Sequence, residues 1–161
     1  MFKHAMILLI ACLFSSAHAD QNDPAAYKDW NATVNFLQSR GIDAAKINWT
    51  SIQTLCAGGR DNELAYNKCK LTKALDQNQY GLDNKYCNSV SETKYLEFIK
   101  PILSHETFQD TTGKSIDGII THEVTLTDQQ AAEYKNSSYT SCMRHQGWND
   151  PNGWEQGKRI K

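Results

Sequence analysis

The strongest constraint on this chain is where its cysteines lie relative to its first 19 residues. Met1 to Ala19 begins with the basic Lys3, runs through an apolar stretch from Ala5 to Phe14 and steps to polar Ser15 and Ser16. It closes on Ala17-His18-Ala19, the small-x-small pattern at which an export signal is cut. The expected organisation is a signal peptide over 1–19 and a single mainly helical periplasmic domain over 20–161. Removing the leader takes Cys12 with it and leaves Cys56, Cys69, Cys87 and Cys142. An even set of cysteines delivered to an oxidising compartment reads as two disulfides.

An apolar run of about ten residues is roughly half of what a bilayer-spanning helix needs, so no membrane span is expected. Leu9-Ile10-Ala11-Cys12 also matches a bacterial lipobox, in which Cys12 would be lipidated and retained. That alternative leaves a very short signal ahead of the cysteine, and release into the Gram-negative periplasm is preferred.

With 161 residues, 40% of them apolar and 22% charged, and a net charge of −1, the composition is that of one globular domain. It excludes a collagen, a polybasic arm and a disordered polyampholyte, and no nucleic-acid partner is expected. The leader is the most apolar part of the chain, so the remainder is lean in core-forming residues and cross-links should matter to its stability. Three disulfide pairings are open. Cys69 and Cys142 each end a Tyr-x-x-Cys unit inside a helical pattern, which favours Cys69 with Cys142 and Cys56 with Cys87.

Asp23 as N-cap, Pro24 at the first helical position and Gly41 as a left-handed stop predict a helix over 24–40. Its Tyr27, Trp30, Val34 and Leu37 form one apolar face, and a Schellman turn at Gly41 should fold Ile42 back on Leu37. A second helix is expected between Ala44 and Ala57, and a third, capped by Asp61, from Asn62 to Asn78. Gly81 reads as a break, followed by a short helix over 83–88 and another opened at Ser89 by a capping box with Glu92 and stopped near Pro101. Between His105 and Leu126 the period becomes two: Ile120, His122, Val124 and Leu126 alternate with polar residues, predicting a half-buried strand in one small hairpin. Thr127 and Gln130 form a second capping box, for a helix from Asp128 to Gln146 that ends at Gly147 with Met143 packed on Trp148. The tail from Asn149 to Lys161 reads as loop. The fold class is therefore mainly α, a disulfide-stapled helical bundle with one small β-hairpin.

No short motif for catalysis or cofactor binding is present. There is no Cys-x-x-Cys, Gly-x-Ser-x-Gly, phosphate loop, dinucleotide fingerprint or His-Glu-x-x-His, so neither an enzyme nor a cofactor is expected. Cys142-x-x-His145 has a metal-like spacing, but an oxidised Cys142 has no thiolate to offer. His105-Glu106 and His122-Glu123 are adjacent pairs, which a strand sends to opposite faces. His122 is expected to be a satisfied, half-buried side chain.

Seven tyrosines and four tryptophans make a large aromatic share, and such side chains are enriched at interfaces. Trp148 and Trp154 flank the turn-forming Asn149-Asp150-Pro151-Asn152-Gly153 and are the candidate binding surface, as a stacking platform. The alternative, which weighs more, is that they lock the tail onto the helical body.

The segment Tyr139-x-x-Cys142-Met143-x-x-x-Gly147-Trp148 resembles the C-terminal end of small exported Gram-negative envelope proteins, largely of unknown function. The resemblance implies an envelope location and a helix end packed on an aromatic residue, and it transfers no activity. The expected function is a non-catalytic periplasmic binding module with a protein partner, for example of the immunity or inhibitor class directed at an envelope hydrolase. The alternatives are an accessory protein associated with peptidoglycan or the outer membrane, and a small periplasmic hydrolase.

Overall fold

The computed structural model describes residues 21–158, so the expected leader, with Cys12, and the last three residues lie outside it. Among the described residues the chain is mainly helical, with α1 (Trp30–Ser39), α2 (Trp49–Leu55), α3 (Glu63–Phe98) and α4 (Asp128–His145). Two separate antiparallel pairs complete it: β1 (Ile102–Gln109) with β2 (Ser115–His122), and β3 (Trp148–Asp150) with β4 (Gly153–Lys158). The single expected hairpin is thus corrected to two, and the described part of the tail, expected as loop, forms the second. Its Asp150 Oδ1 accepts from the Asn152 N–H at 2.8 Å, closing the turn that lets the strands pair.

The first expected helix divides in two because its acidic caps stand in series. Asp23 accepts from Ala25 N at 2.9 Å and caps only a 3-10 turn, Pro24–Ala26. Asp29 then accepts from Ala32 N at 2.8 Å and starts α1. The helix ends as expected: Gly41 has φ 72°, its N–H donates to Gln38 O and the Ile42 N–H donates to Leu37 O, both at 2.9 Å. Leu37 and Ile42 are both buried in one core cluster. The second expected helix is likewise a 3-10 turn (Ala44–Lys46) and a separate α2, capped by Asn48 through Ser51 N.

The largest correction concerns the middle of the chain. Asn62, not Asp61, caps α3, which runs unbroken through Gly81 and through the supposed start at Ser89. Thirty-six residues make a rod about 54 Å long at 1.5 Å per residue. One glycine costs a helix only about 1 kcal/mol, and packing on both halves of the rod outweighs it. The N-terminal half carries Leu71 and Ala74 into a core with Tyr27, Phe36, Leu37, Ile42, Ile47 and Ile52. The C-terminal half lies along α4, where Cys87, Met143 and Trp148 are fully buried.

Helix continuity also overturns the favoured disulfide pairing. The bridges are Cys56–Cys69 and Cys87–Cys142, with Cα separations of 5.8 and 5.5 Å. Cys69 and Cys87 both lie on α3, about 27 Å apart along its axis. Cys56, at the end of α2 and a short connection before α3 begins at Glu63, reaches only the nearer of them. The similar Tyr-x-x-Cys units carried no information about which helices meet.

α4 begins with the expected capping box: Gln130 N donates to Thr127 Oγ1 at 3.2 Å and Thr127 N donates to Gln130 Oε1 at 3.0 Å. It runs antiparallel to α3, tied by Ser91 Oγ to Lys135 O at 2.7 Å and by an ion pair of Lys135 with Glu92 at 2.7 Å. At its far end Gly147 has φ 93°, and Met143 and Trp148 are packed in one cluster, as expected. The β1–β2 hairpin connects α3 to α4 at the end of this helical pair.

Candidate functional site

Trp148 presents no face to solvent. It is fully buried, edge-on to Tyr80 at 5.1 Å, and its Nε1 donates to Asp83 Oδ2 at 2.9 Å. The same carboxylate accepts from Gln79 Nε2 at 2.9 Å and pairs with Lys158 Nζ at 2.9 Å. Burial would push the Asp83 carboxyl up, but the hydrogen bonds from Lys158, Trp148 and Gln79 outweigh it and hold it below the usual carboxylate range. Tyr80 and Tyr139 both donate to Pro151 O at 2.9 Å, and burial, followed by the contact with Tyr139, raises the Tyr80 phenol well above its ordinary value. Trp154 is half-buried and packs against both core clusters. Both tryptophans pack the tail against the helices, and Trp148 leaves no ring face open for stacking.

At the other end of the molecule Trp30, expected on the buried apolar face of the first helix, is 46% exposed instead, beside the partly buried Trp49 and Tyr66. Trp30, at the start of α1, meets Trp49, at the start of α2, edge-on at 4.7 Å. Lys70 Nζ lies 5.6 Å from the Trp30 ring centre and 4.5 Å from that of Tyr66. Burial of the Lys70 ammonium against these rings lowers its pKa, partly offset by Glu63. The residues are brought together by three different helices, so spacing in the sequence could not reveal them.

Both candidate histidines sit on the β1–β2 hairpin. His105 lies opposite Ile119, whereas His122 shares the other face with Ser104 and Glu106. Ser104 Oγ is 2.9 Å from His122 Nε2, and Glu106 Oε1 is 3.9 Å from the same nitrogen. A nucleophile–base–acid relay needs the acid on the second ring nitrogen, so this convergence on one atom is not relay geometry. The His122 side chain is 56% exposed rather than half-buried. At the other candidate ligand pair, Cys142 is consumed in its disulfide. Among the described residues no three His, Cys, Asp or Glu side chains are gathered to hold a metal ion, and no helix is long and apolar enough to cross a membrane.

The hairpin itself is the most conspicuous exposed surface. No side chain described on β1 or β2 is buried, and only Ser104, Gly118 and Ile120 reach even partial burial. Ile102 is 64% exposed, Ile119 62%, Ile116 50% and Phe108 44%. One face carries Ile102, Phe108, Ile116 and Ile120 around the Ser104–Glu106–His122 group, and the other carries Ile119 beside His105. The turn is firmly built: the Asp110 carboxylate accepts from Thr112 Oγ1 at 2.7 Å and from Thr112 N and Lys114 N at 2.9 Å. Those bonds, led by the Thr112 hydroxyl, lower the Asp110 pKa. The sequence signal was the adjacent Ile119-Ile120, which places isoleucines on both faces of a sheet that could bury only one.

Comparison with protein-family models, with curated proteins and with solved structures finds no match for this chain.

Proposed function

We infer that this chain is a non-catalytic binding module of the Gram-negative envelope, exported to the periplasm and oxidised there, with the β1–β2 hairpin as its docking element for a protein partner. An immunity or inhibitor protein for an envelope-directed hydrolase is the form this reading takes. The observation that carries it is the hairpin: two eight-residue strands, apolar side chains exposed on both faces, and an unpaired edge on each strand. A two-stranded sheet is marginal alone, and exposed apolar surface of this kind marks an interaction site. The Cys87–Cys142 bridge stiffens the helical pair that holds the hairpin out. Both disulfides suit an oxidising compartment.

A second reading, association with peptidoglycan, is favoured by the exposed Trp30 ring with the Lys70 ammonium beside it, a combination suited to stacking a sugar and meeting a carboxylate. Capture from a periplasmic extract separates the two. A stoichiometric protein partner retained by the native chain and lost with Phe108→Asp or Ile119→Asp supports the docking hairpin. Sedimentation with sacculi, abolished by Trp30→Ala and unaffected by the hairpin variants, overturns it in favour of the second reading.

A further inference from the structure

We propose that the free edge of β1 pairs with β1 of a second copy of this chain, antiparallel about a two-fold axis through His105, making a four-stranded sheet. The proposal rests on the reading of the hairpin as a docking element and names the first occupant of one of its edges. Among the described residues, each strand of the hairpin has one row of backbone N–H and C=O groups bonded to its neighbour and one row with no strand against it. An unpaired edge is a template for another strand. β1 carries few of the devices that discourage this: no lysine and no proline within Ile102–Gln109, Glu106 as its one carboxylate, and eight residues paired with β2 without a register shift.

Symmetry then restricts the register. A two-fold axis perpendicular to the sheet keeps each face on its own side, so a residue can lie opposite only a residue of the same face. The axis must therefore pass through one residue, and only Ser104, His105, Glu106 and Thr107 lie centrally enough to pair most of the strand. Centring on Glu106 sets two carboxylates directly opposite. Centring on Ser104 sets Ile102, and centring on Thr107 sets Phe108, opposite a partner glutamate. Centring on His105 avoids both clashes: Phe108 faces the second copy's Ile102, and Glu106 faces its Ser104, a hydroxyl donor. Because Phe108 already lies opposite Ile116, an apolar row of Ile116, Phe108 and the second copy's Ile102 crosses three strands, and symmetry repeats it. The same pairing at the β2 edge is poorer: centring on Ile119 sets Ile116 opposite a histidine, and centring on Gly118, which matches Ile116 with Ile120, sets the Asp117 carboxylate opposite Ile119 twice. Dimerisation through β1 leaves both β2 strands as outer edges, so the broadened face remains open to another partner.

The test uses the purified, oxidised chain with no other protein present. Sedimentation equilibrium should show reversible association to a dimer. His105→Lys puts two ammonium groups opposite each other and should weaken the dimer about tenfold or more, with helical circular dichroism unchanged. Thr121→Lys, on the outer strand, should leave it intact. His105→Cys should give a covalent dimer on mild oxidation, because directly opposite Cβ atoms lie about 5 Å apart. Thr107→Cys should not, because in this register the two sulfurs are separated by about 14 Å along the strands. A monomer at all concentrations overturns the proposal, as does a dimer broken by Ile119→Lys but untouched by His105→Lys. If the His105→Lys monomer still captures an envelope protein, the docking reading stands and only the self-pairing falls.

Discussion

Cys69 and Cys87 stand on the same side of one continuous helix, about five turns apart, and each is bridged to a different neighbour: Cys69 to the end of α2 and Cys87 to α4. The rod therefore serves as a shared spine, with each staple holding one of two small cores against it.

The two bridges should differ in worth. Their sequence separations are 13 and 55 residues. The chain-entropy relation then assigns about 3 kcal/mol to the first and about 4 kcal/mol to the second. Replacing Cys87 and Cys142 together by alanine should lower stability more than replacing Cys56 and Cys69, as read from denaturant midpoints. Near-equal losses would mean that the C-terminal core holds α4 without the covalent link.

Glycines in this chain should respond in opposite directions. Gly81 lies inside α3 with open space where a Cβ would sit, so Gly81→Ala should stabilise by about 1 kcal/mol and raise the melting temperature by a few degrees. Gly41 has φ 72° at the end of α1, and Gly41→Ala should destabilise by about 1 kcal/mol despite equal free space. Thermal unfolding of the two variants checks both signs.

The Asp83 cluster should impose an acid limit on stability. Its carboxyl is held below the ordinary value of 3.8, so the folded state binds its proton less readily than the unfolded chain does. The stabilisation is complete above that value and is lost as pH falls through the lower, folded pKa. Asp76 acts in the opposite sense: burial raises its carboxyl against the pull of Lys73 and Lys158, so its protonation favours the fold. Asp83→Asn should cost about 2 kcal/mol at neutral pH, because Lys158 loses its charged acceptor. It should also flatten the fall in stability below pH 4, whereas Asp76→Asn should not. Urea unfolding followed from pH 3 to 7 distinguishes them.

Excision of the β1–β2 hairpin should leave the helical body folded. No side chain described on its strands is buried, so replacing residues 102–122 by a short flexible loop removes little core. The shortened chain should keep both disulfides and unfold within about 1 kcal/mol of the parent, since surface changes remote from the core act on that scale. A collapse of helicity would show that the hairpin supports the end of the α3–α4 pair.

The sequence by itself determined the features whose physics is local. Gly41 with Ile42 folded back on Leu37, Thr127 reciprocally capped by Gln130, and Met143 meeting Trp148 across Gly147 are all decided within a few residues. The four cysteines after the expected leader likewise announced two disulfides without saying which partners would meet. Tertiary structure decided the rest. Packing on both halves of α3 carried it through Gly81, and that continuity, with Cys56 placed at the end of α2, determined the pairing of Cys56 with Cys69 and Cys87 with Cys142. The same holds for burial: Trp148 went inside because Asp83, a long way off in sequence, could take its N–H, while Ile119 stayed outside because no helix came to cover it. Hydrophobic pattern records which side chains favour a covered face, and only the assembled chain supplies the surface that covers them.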